Sequence, residues 1–291
     1  MNKGLTITLI VLLSILLIGI VGIMIFLFNG NYDFTSFSLG FGESKTLVDE
    51  KEIINIKKLN IEANRADVSV ETKEENTNIK VELYSDYVDE YEITEKDDEI
   101  KVVLKDNIIG FSTKGSRVKI YVPTTYDKDI IVVNKTGDIN IGKLSNSNLN
   151  IKLTTGDIKV REGKDIVASL TTGDVEIGEA NNANVTGTTG DIDVDNAKTV
   201  KVKLVTGDIT LGDINGSLDL TLTTGDIKVD KANLTKNSII KSGTGDVKIR
   251  KTTNCYVEAT TKVGDTRVNN NDRKSDNVLT ITSRVGDIRV N

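Results

Sequence analysis

The sequence predicts an all-β protein: an N-terminal transmembrane helix followed by a single-stranded parallel β-solenoid of about nine Thr-Gly-Asp rungs. Three observations predict it. A Gly-Asp pair recurs nine times, at Gly137, Gly156, Gly173, Gly190, Gly207, Gly225, Gly245, Gly264 and Gly286, with spacings of 17 to 22 residues. A repeat of that length marks a stacked supersecondary unit. Each pair is flanked by short stretches in which aliphatic and polar residues alternate, the period of a half-buried strand. Finally, Leu5 to Phe28 is a 24-residue run without a charge.

The apolar run comes first in the chain. At about 1.5 Å per residue a helix of this length spans roughly 36 Å, enough to cross a hydrocarbon core of about 30 Å. No small-x-small cleavage pattern follows it and no Cys lies near it, so it reads as an uncleaved signal anchor rather than a removed leader or a lipoprotein anchor. Residues 1–4, carrying Lys3, form the cytoplasmic stub. The expected location is therefore the cell membrane, crossed once, with the C-terminal domain extracytoplasmic.

Residues 29–45 are polar and Gly-rich, with Phe34, Phe37 and Phe41, and read as a juxtamembrane linker. Residues 46–133 form an N-terminal β region. Ile54-Ile56, Val68-Val70, Ile79-Val81-Leu83, Ile100-Val102-Leu104 and Val118-Ile120-Val122 alternate with polar residues. Pro123 closes the last of these, because proline cannot donate to a ladder. Between them Tyr84, Tyr87 and Tyr91 lie three and four residues apart among acids, as on a short helical turn or an exposed loop. They are candidates for a binding patch, set against local packing.

From residue 134 to 291 the repeat governs. Aligned on Gly-Asp, the positions after Asp read Ile139, Ile158, Val175, Ile192, Ile209, Ile227, Val247, Thr266 and Ile288. Two further on stand Ile141, Val160, Ile177, Val194, Leu211, Val229, Ile249, Val268 and Val290, with polar residues between. Leu153 and Thr155 share one parity and Ile158 and Val160 the other, so the Gly-Asp step must reset the alternation. A type II′ hairpin or a solenoid corner would do so, with Gly supplying positive φ and Asp bonding to nearby amides. The solenoid is favoured. It stacks like residues about 4.8 Å apart, so Thr136, Thr155, Thr172, Thr189, Thr206, Thr224 and Thr244 can bond hydroxyl to hydroxyl, whereas nine hairpins would need a very wide open sheet. The last strand, ending at Asn291, shows no separate cap, and Lys262, Arg267, Arg284 and Arg289 are expected to guard that open end.

Composition excludes several classes. With 37 Lys and Arg against 43 Asp and Glu the net charge is -6, which argues against nucleic-acid binding. The chain has no His, the commonest general base and metal ligand, and one Cys, Cys255, which cannot form an intrachain disulfide. No phosphate loop, nucleophile elbow or metal-spaced cluster is present, and Tyr256 is the only aromatic after residue 133, which leaves no stacking platform for sugars on the repeat. No enzyme activity, no small-molecule substrate and no cofactor are expected. The Asp column reads as turn chemistry, with calcium at Asp157, Asp174, Asp191, Asp208 and Asp226 as the alternative. Charge is uneven: residues 43–100 carry 18 acids and 8 bases, residues 241–291 carry 10 bases and 6 acids.

The anchor, a first strand region ending in Val118-x-Ile120-x-Val122-Pro123, and serial Thr-Thr-Gly-Asp-Ile-x-Val units together resemble the bacterial putative-adhesin family. This is a β-strand-repeat domain of unknown function common in Gram-positive bacteria, and the resemblance covers about residues 46–291. It implies a β-helix-like, membrane-tethered envelope protein with no catalytic motif to carry over. Family members are associated with surface adhesion, and some accompany envelope-stress systems. The expected function is a non-enzymatic, membrane-anchored envelope protein displaying a rigid solenoid for adhesion or surface binding. The alternative is a structural or regulatory component of an envelope-stress response. The binding-surface candidates are Tyr84, Tyr87, Tyr91, Lys262, Arg267, Arg284 and Arg289. The expected partner, besides the membrane, is an envelope protein or an anionic wall polymer.

Overall fold

The computed structural model describes residues 47–54, 57–74, 78–85, 90–105, 116–269 and 272–291. The predicted stub, membrane segment 5–28 and linker 29–45 lie outside the described residues. No helix among those described is long and apolar enough to cross a membrane.

Every described element is a strand, and most pair in parallel. The long strands β10 (Ile158–Thr172), β11 (Val175–Thr189), β12 (Ile192–Thr206) and β13 (Ile209–Thr224) stack in register, with Ile158 opposite Val175, then Ile192, then Ile209. Each contributes to two faces. The stretch that follows a Gly-Asp pair lies on what we term the Asp face. The stretch that leads into the next Thr-Gly lies on the Thr face. Before them, β7 (Ile130–Thr136) and β9 (Leu149–Thr155) belong to the Thr face and β8 (Ile139–Leu144) to the Asp face. After them, β14 (Ile227–Asn233) and β16 (Val247–Thr253) extend the Asp face and β15 (Ser238–Thr244) the Thr face.

Alternation explains the core. On β9, Leu149, Ile151 and Leu153 are buried while Asn150, Lys152 and Thr154 are exposed. On β10, Ile158 and Val160 are buried and Lys159 and Arg161 exposed. The buried sides of both faces join one aliphatic cluster running from Ile53 to Val290. Burial of this kind contributes about 25 cal/mol per Å² of apolar surface and drives the stacking.

Between the faces the alternation breaks over four residues rather than two. Thr154, Thr155 and Asp157 are all exposed, whereas Leu153 and Ile158 are buried. Thr155 therefore does not share the inward side of Leu153 as expected; it already belongs to the corner. The Thr residues do stack in register, with Thr155 between Thr136 and Thr172. Their side chains face solvent, and no hydrogen bond links their hydroxyls among the described residues. The hydroxyl ladder expected from the sequence is thus replaced by a backbone one, in which Gly156 N–H donates to the Thr172 carbonyl and Ile158 N–H to the Asp174 carbonyl.

Both ends depart from sequence order. The strand β2 (Lys58–Lys73) lies between β7 and β8 on one side and β5 (Glu99–Lys105) and β6 (Ser116–Pro123) on the other. Beyond these, β3 (Ile79–Tyr84) pairs antiparallel with β6, β1 (Leu47–Ile53) with β3, and β4 (Glu90–Lys96) with β5. At the opposite end, β19 (Val278–Val285) sits between β15 and β17 (Tyr256–Val263), and β20 (Ile288–Val290) between β16 and β18 (Thr266–Val268). The layer at the edge is therefore 256–268, not the last strands of the sequence. This corrects the expectation of an uncapped final strand. Placing β19 and β20 inside pairs their backbone on both sides and leaves the edge to a layer in which the smaller Ala259 lies against Ile281 and the more polar Thr266 against Ile288.

The corner glycines have φ between +115° and +135°. A Cβ built on Gly190 would also collide with the backbone carbonyl of Gly173. Replacing Gly190 with Ala is expected to cost about 2–4 kcal/mol, since a strained φ costs 1–3 kcal/mol and the clash adds to it. Thr188→Ala on the exposed face should stay within about 0.5 kcal/mol. Urea titration of both variants measures the difference.

Candidate functional site

The Asp column is built by the corner. In each layer the Asp N–H points at the preceding layer and donates to that layer's Asp Oδ1. The bonds run Asp138 to Asp67, Asp157 to Asp138, Asp174 to Asp157, Asp191 to Asp174, Asp208 to Asp191, Asp226 to Asp208, Asp246 to Asp226, Asp287 to Asp246 and Asp265 to Asp287, at 2.7–3.0 Å. Ten Asp residues thus form one continuous ladder in which nine carboxylates, Asp67 to Asp287, accept charge-assisted bonds. Asp67 starts it from Ala66-Asp67-Val68-Ser69-Val70, a unit the Gly-Asp search passes over because Ala stands where Gly is expected. Its signal was the Asp-Val-x-Val that follows.

This gives each carboxylate a structural task. Oδ1 of Asp157, Asp174, Asp191, Asp208 and Asp226 is committed to a backbone amide, and among the described residues no group of three or more carboxylate or thiol side chains is placed to hold a metal. Asp191→Ala should lower stability by about 1 kcal/mol, the scale of a lost capping bond. Asp191→Asn keeps an acceptor oxygen and should recover most of it. Millimolar calcium should leave the melting temperature of the wild-type chain unchanged; a rise would restore the calcium alternative.

The aromatic candidates are separated. Tyr84 ends β3, half-buried, and its hydroxyl donates to Glu82 at 2.8 Å. Tyr91 lies on β4, exposed, opposite Leu104. Tyr87 lies outside the described residues. Tyr84 and Tyr91 are thus residues of two different strands that do not pair with each other, not of one helical turn. The aromatic that does lie near Tyr84 is Tyr121, whose strand β6 pairs with β3. Lys73 Nζ stands 3.7 Å from the Tyr121 ring centroid and Lys119 Nζ 5.6 Å from that of Tyr84. The sequence held no spacing signal that these two residues share one face of the β3–β6 pair, since they stand 37 residues apart.

Glu82 sits at the centre of this cluster, buried, 2.8 Å from Lys80 Nζ. Burial pushes its carboxyl up, but the bonds from Lys80 and Tyr84 outweigh it and hold it below the usual range. A carboxyl depressed on folding stabilises the protein above its unfolded pKa, and that contribution is lost as pH falls through the folded value. Glu82→Gln should therefore flatten the acid limb of the stability–pH curve below about pH 4.5, as read by urea melts between pH 3 and 7. Cys255 is buried and its thiol is pushed up to about 11, mainly by burial, as befits a small apolar filler.

The four basic candidates divide between the faces. Lys262 on β17 and Arg284 on β19 lie on the Thr face, both exposed. Arg267 on β18 and Arg289 on β20 lie opposite each other on the Asp face, where Arg289 Nη2 meets Asp287 Oδ2 at 2.9 Å. They do not form a single basic tip.

Residues 56–291, most of the chain, match the family model described as Toastrack DUF4097. The chain belongs to this family. Solved structures similar to this Toastrack chain include a "putative adhesin" of Bacteroides fragilis, 15% identical, covering 84% of this chain and 98% of that one with a TM-score of 0.41. A "putative lipid binding protein" of Parabacteroides distasonis is 13% identical over 86% of this chain and 100% of its own, TM-score 0.35. A "putative adhesin" of Parabacteroides merdae is 11% identical over 86% and 99%, TM-score 0.31. No curated protein matches the chain.

Proposed function

We propose that this Toastrack chain is a non-enzymatic, membrane-anchored envelope protein that holds a solenoid outside the cell as a binding surface. The uncharged run Leu5 to Phe28 supports the anchor and, with the short stub before it, the outward orientation. The nine corner units from Gly137 to Gly286 supply the rungs of the solenoid. The observation that carries the reading is how the chain spends its polar groups. Corner carboxylates are used by the backbone ladder, the interior is aliphatic, and the side chains left over are solvent-facing rows on two sheets. Rows of that kind suit an extended partner, an envelope protein or an anionic polymer of the wall, better than a small molecule, which needs a concave site.

Protease added to intact cells, after controls for wall shielding, should remove residues 46–291 while leaving cytoplasmic proteins whole. The purified full chain in non-ionic detergent should bind isolated envelope material. Protection of the domain until lysis would sink the reading. A phenotype confined to envelope damage, without envelope binding, would move it to a stress-response component.

A further inference from the structure

The two faces differ in charge in a way that the net charge conceals. The Thr-face segments from β7 to β17 contain seven cations, Lys135, Lys152, Lys201, Lys203, Lys241, Lys262 and Arg284, and only two acids, Asp219 and Glu258. Asp219 is taken by Lys201 at 3.0 Å. The other six cations are exposed and meet no carboxylate among the described residues. On the Asp face several of the cations are offset. Lys159 bonds Glu176 on the next strand, Lys231 bonds Asp213 and Arg250 bonds Asp230 at 3.1–3.2 Å, and the ladder of Asp carboxylates runs along its edge.

Register turns the free cations into a line. Lys152, Ser169, Thr186, Lys203, Thr221, Lys241, Thr282 and Thr260 occupy successive positions of one outward column. With strands about 4.8 Å apart, Lys152 and Lys203 lie roughly 14 Å apart and Lys203 and Lys241 roughly 10 Å. The intervening positions all carry hydroxyls, which donate to phosphate oxygens or polymer hydroxyls. Such a column is long, straight and one residue wide.

We infer that the Thr face binds a linear polyanion laid across its strands, along the column of Lys152, Lys203 and Lys241. This rests on the proposed role as a binding surface and names the face and the ligand chemistry. A chain of phosphodiesters running across the strands meets ammonium groups and hydroxyls in turn, and each neutralised phosphate releases counterions. A lipid surface fits less well. Membrane-surface binding uses aromatic residues seated at headgroup level, and the central Thr-face strands from Ile130 to Thr244 expose the aliphatic Ile131, Val133, Val167 and Val205 but no Phe, Tyr or Trp.

The test uses the full chain in non-ionic detergent, with long-chain inorganic polyphosphate as probe and neutral dextran as control. Wild type should bind polyphosphate and not dextran, with an affinity that falls steeply with salt. Changing Lys152, Lys203 and Lys241 together to Ala should weaken binding about tenfold or more and lower the logarithmic salt slope by about three. Changing Lys228, Lys248 and Lys251 on the Asp face to Ala removes the same charge and should shift affinity by less than about twofold. A melting curve for each variant confirms that it is folded. Equal losses from both triples, or binding to phosphatidylglycerol vesicles but not to polyphosphate, would overturn the assignment. Envelope binding that survives the Thr-face triple overturns it too, while leaving the proposed function standing.

Discussion

At each Gly-Asp corner the glycine lies against a backbone carbonyl of the neighbouring layer, that of Ala66 for Gly137 and that of a glycine for the others, so closely that no side chain fits between them. This contact constrains everything stacked above and below. It demands φ near +130°, which only glycine adopts without strain. It also turns the following Asp amide away from the strand ladder toward the layer before. A buried or half-shielded amide left without a partner costs about 1–3 kcal/mol, and the Asp carboxylate one layer back meets that demand. Gly for geometry and Asp for the amide are therefore one requirement. The aliphatic columns follow, because the corner fixes the register in which they meet.

The same constraint divides the charge. A carboxylate at each corner places a row of negative charge along one edge of the Asp face, and Lys228 and Arg289 of that face meet it at Asp208 and Asp287. The Thr face is the side leading into the corner and carries almost no acid of its own. Apart from Lys201, its lysines between β7 and β17 meet no carboxylate among the described residues, while the whole chain is acidic. An average over the sequence cancels these two sheets against each other, and only the register separates them.

Periodicity made the repeating part legible: the buried columns, the Gly and Asp positions and the parallel stack all follow from residues 17 to 22 apart. What it could not give is long-range order. Ala66-Asp67 behaves as a corner with Ala in place of Gly, so motif spacing missed it. The pairing of β2 with β7 joins Leu59 to Ile130, and that of β3 with β6 joins Leu83 to Val118. No local pattern encodes such partners. The basic residues were visible as residues but not by face, because Lys262 and Arg267 are five apart in sequence and lie on opposite sides of a corner. The Thr column was legible in position but not in role, since the hydroxyls were expected to bond and instead face water.

The intercalation of β19 and β20 has a consequence for how the molecule is made. Layers 17 residues apart can be added one after another as the chain is synthesised, each on the last. The layer 256–268 cannot take its place this way, because the strands that hold it, 278–290, are made after it. Until they emerge, 256–268 has no neighbour in its final register and the end of the aliphatic core stays uncovered. Closing then requires contacts between Ser238 and Leu279, a longer loop than any within the central stack and a slower one to form. The arrangement works as a latch: the layer 256–268 is held in place by strands made after it, and a chain interrupted before them keeps an open end.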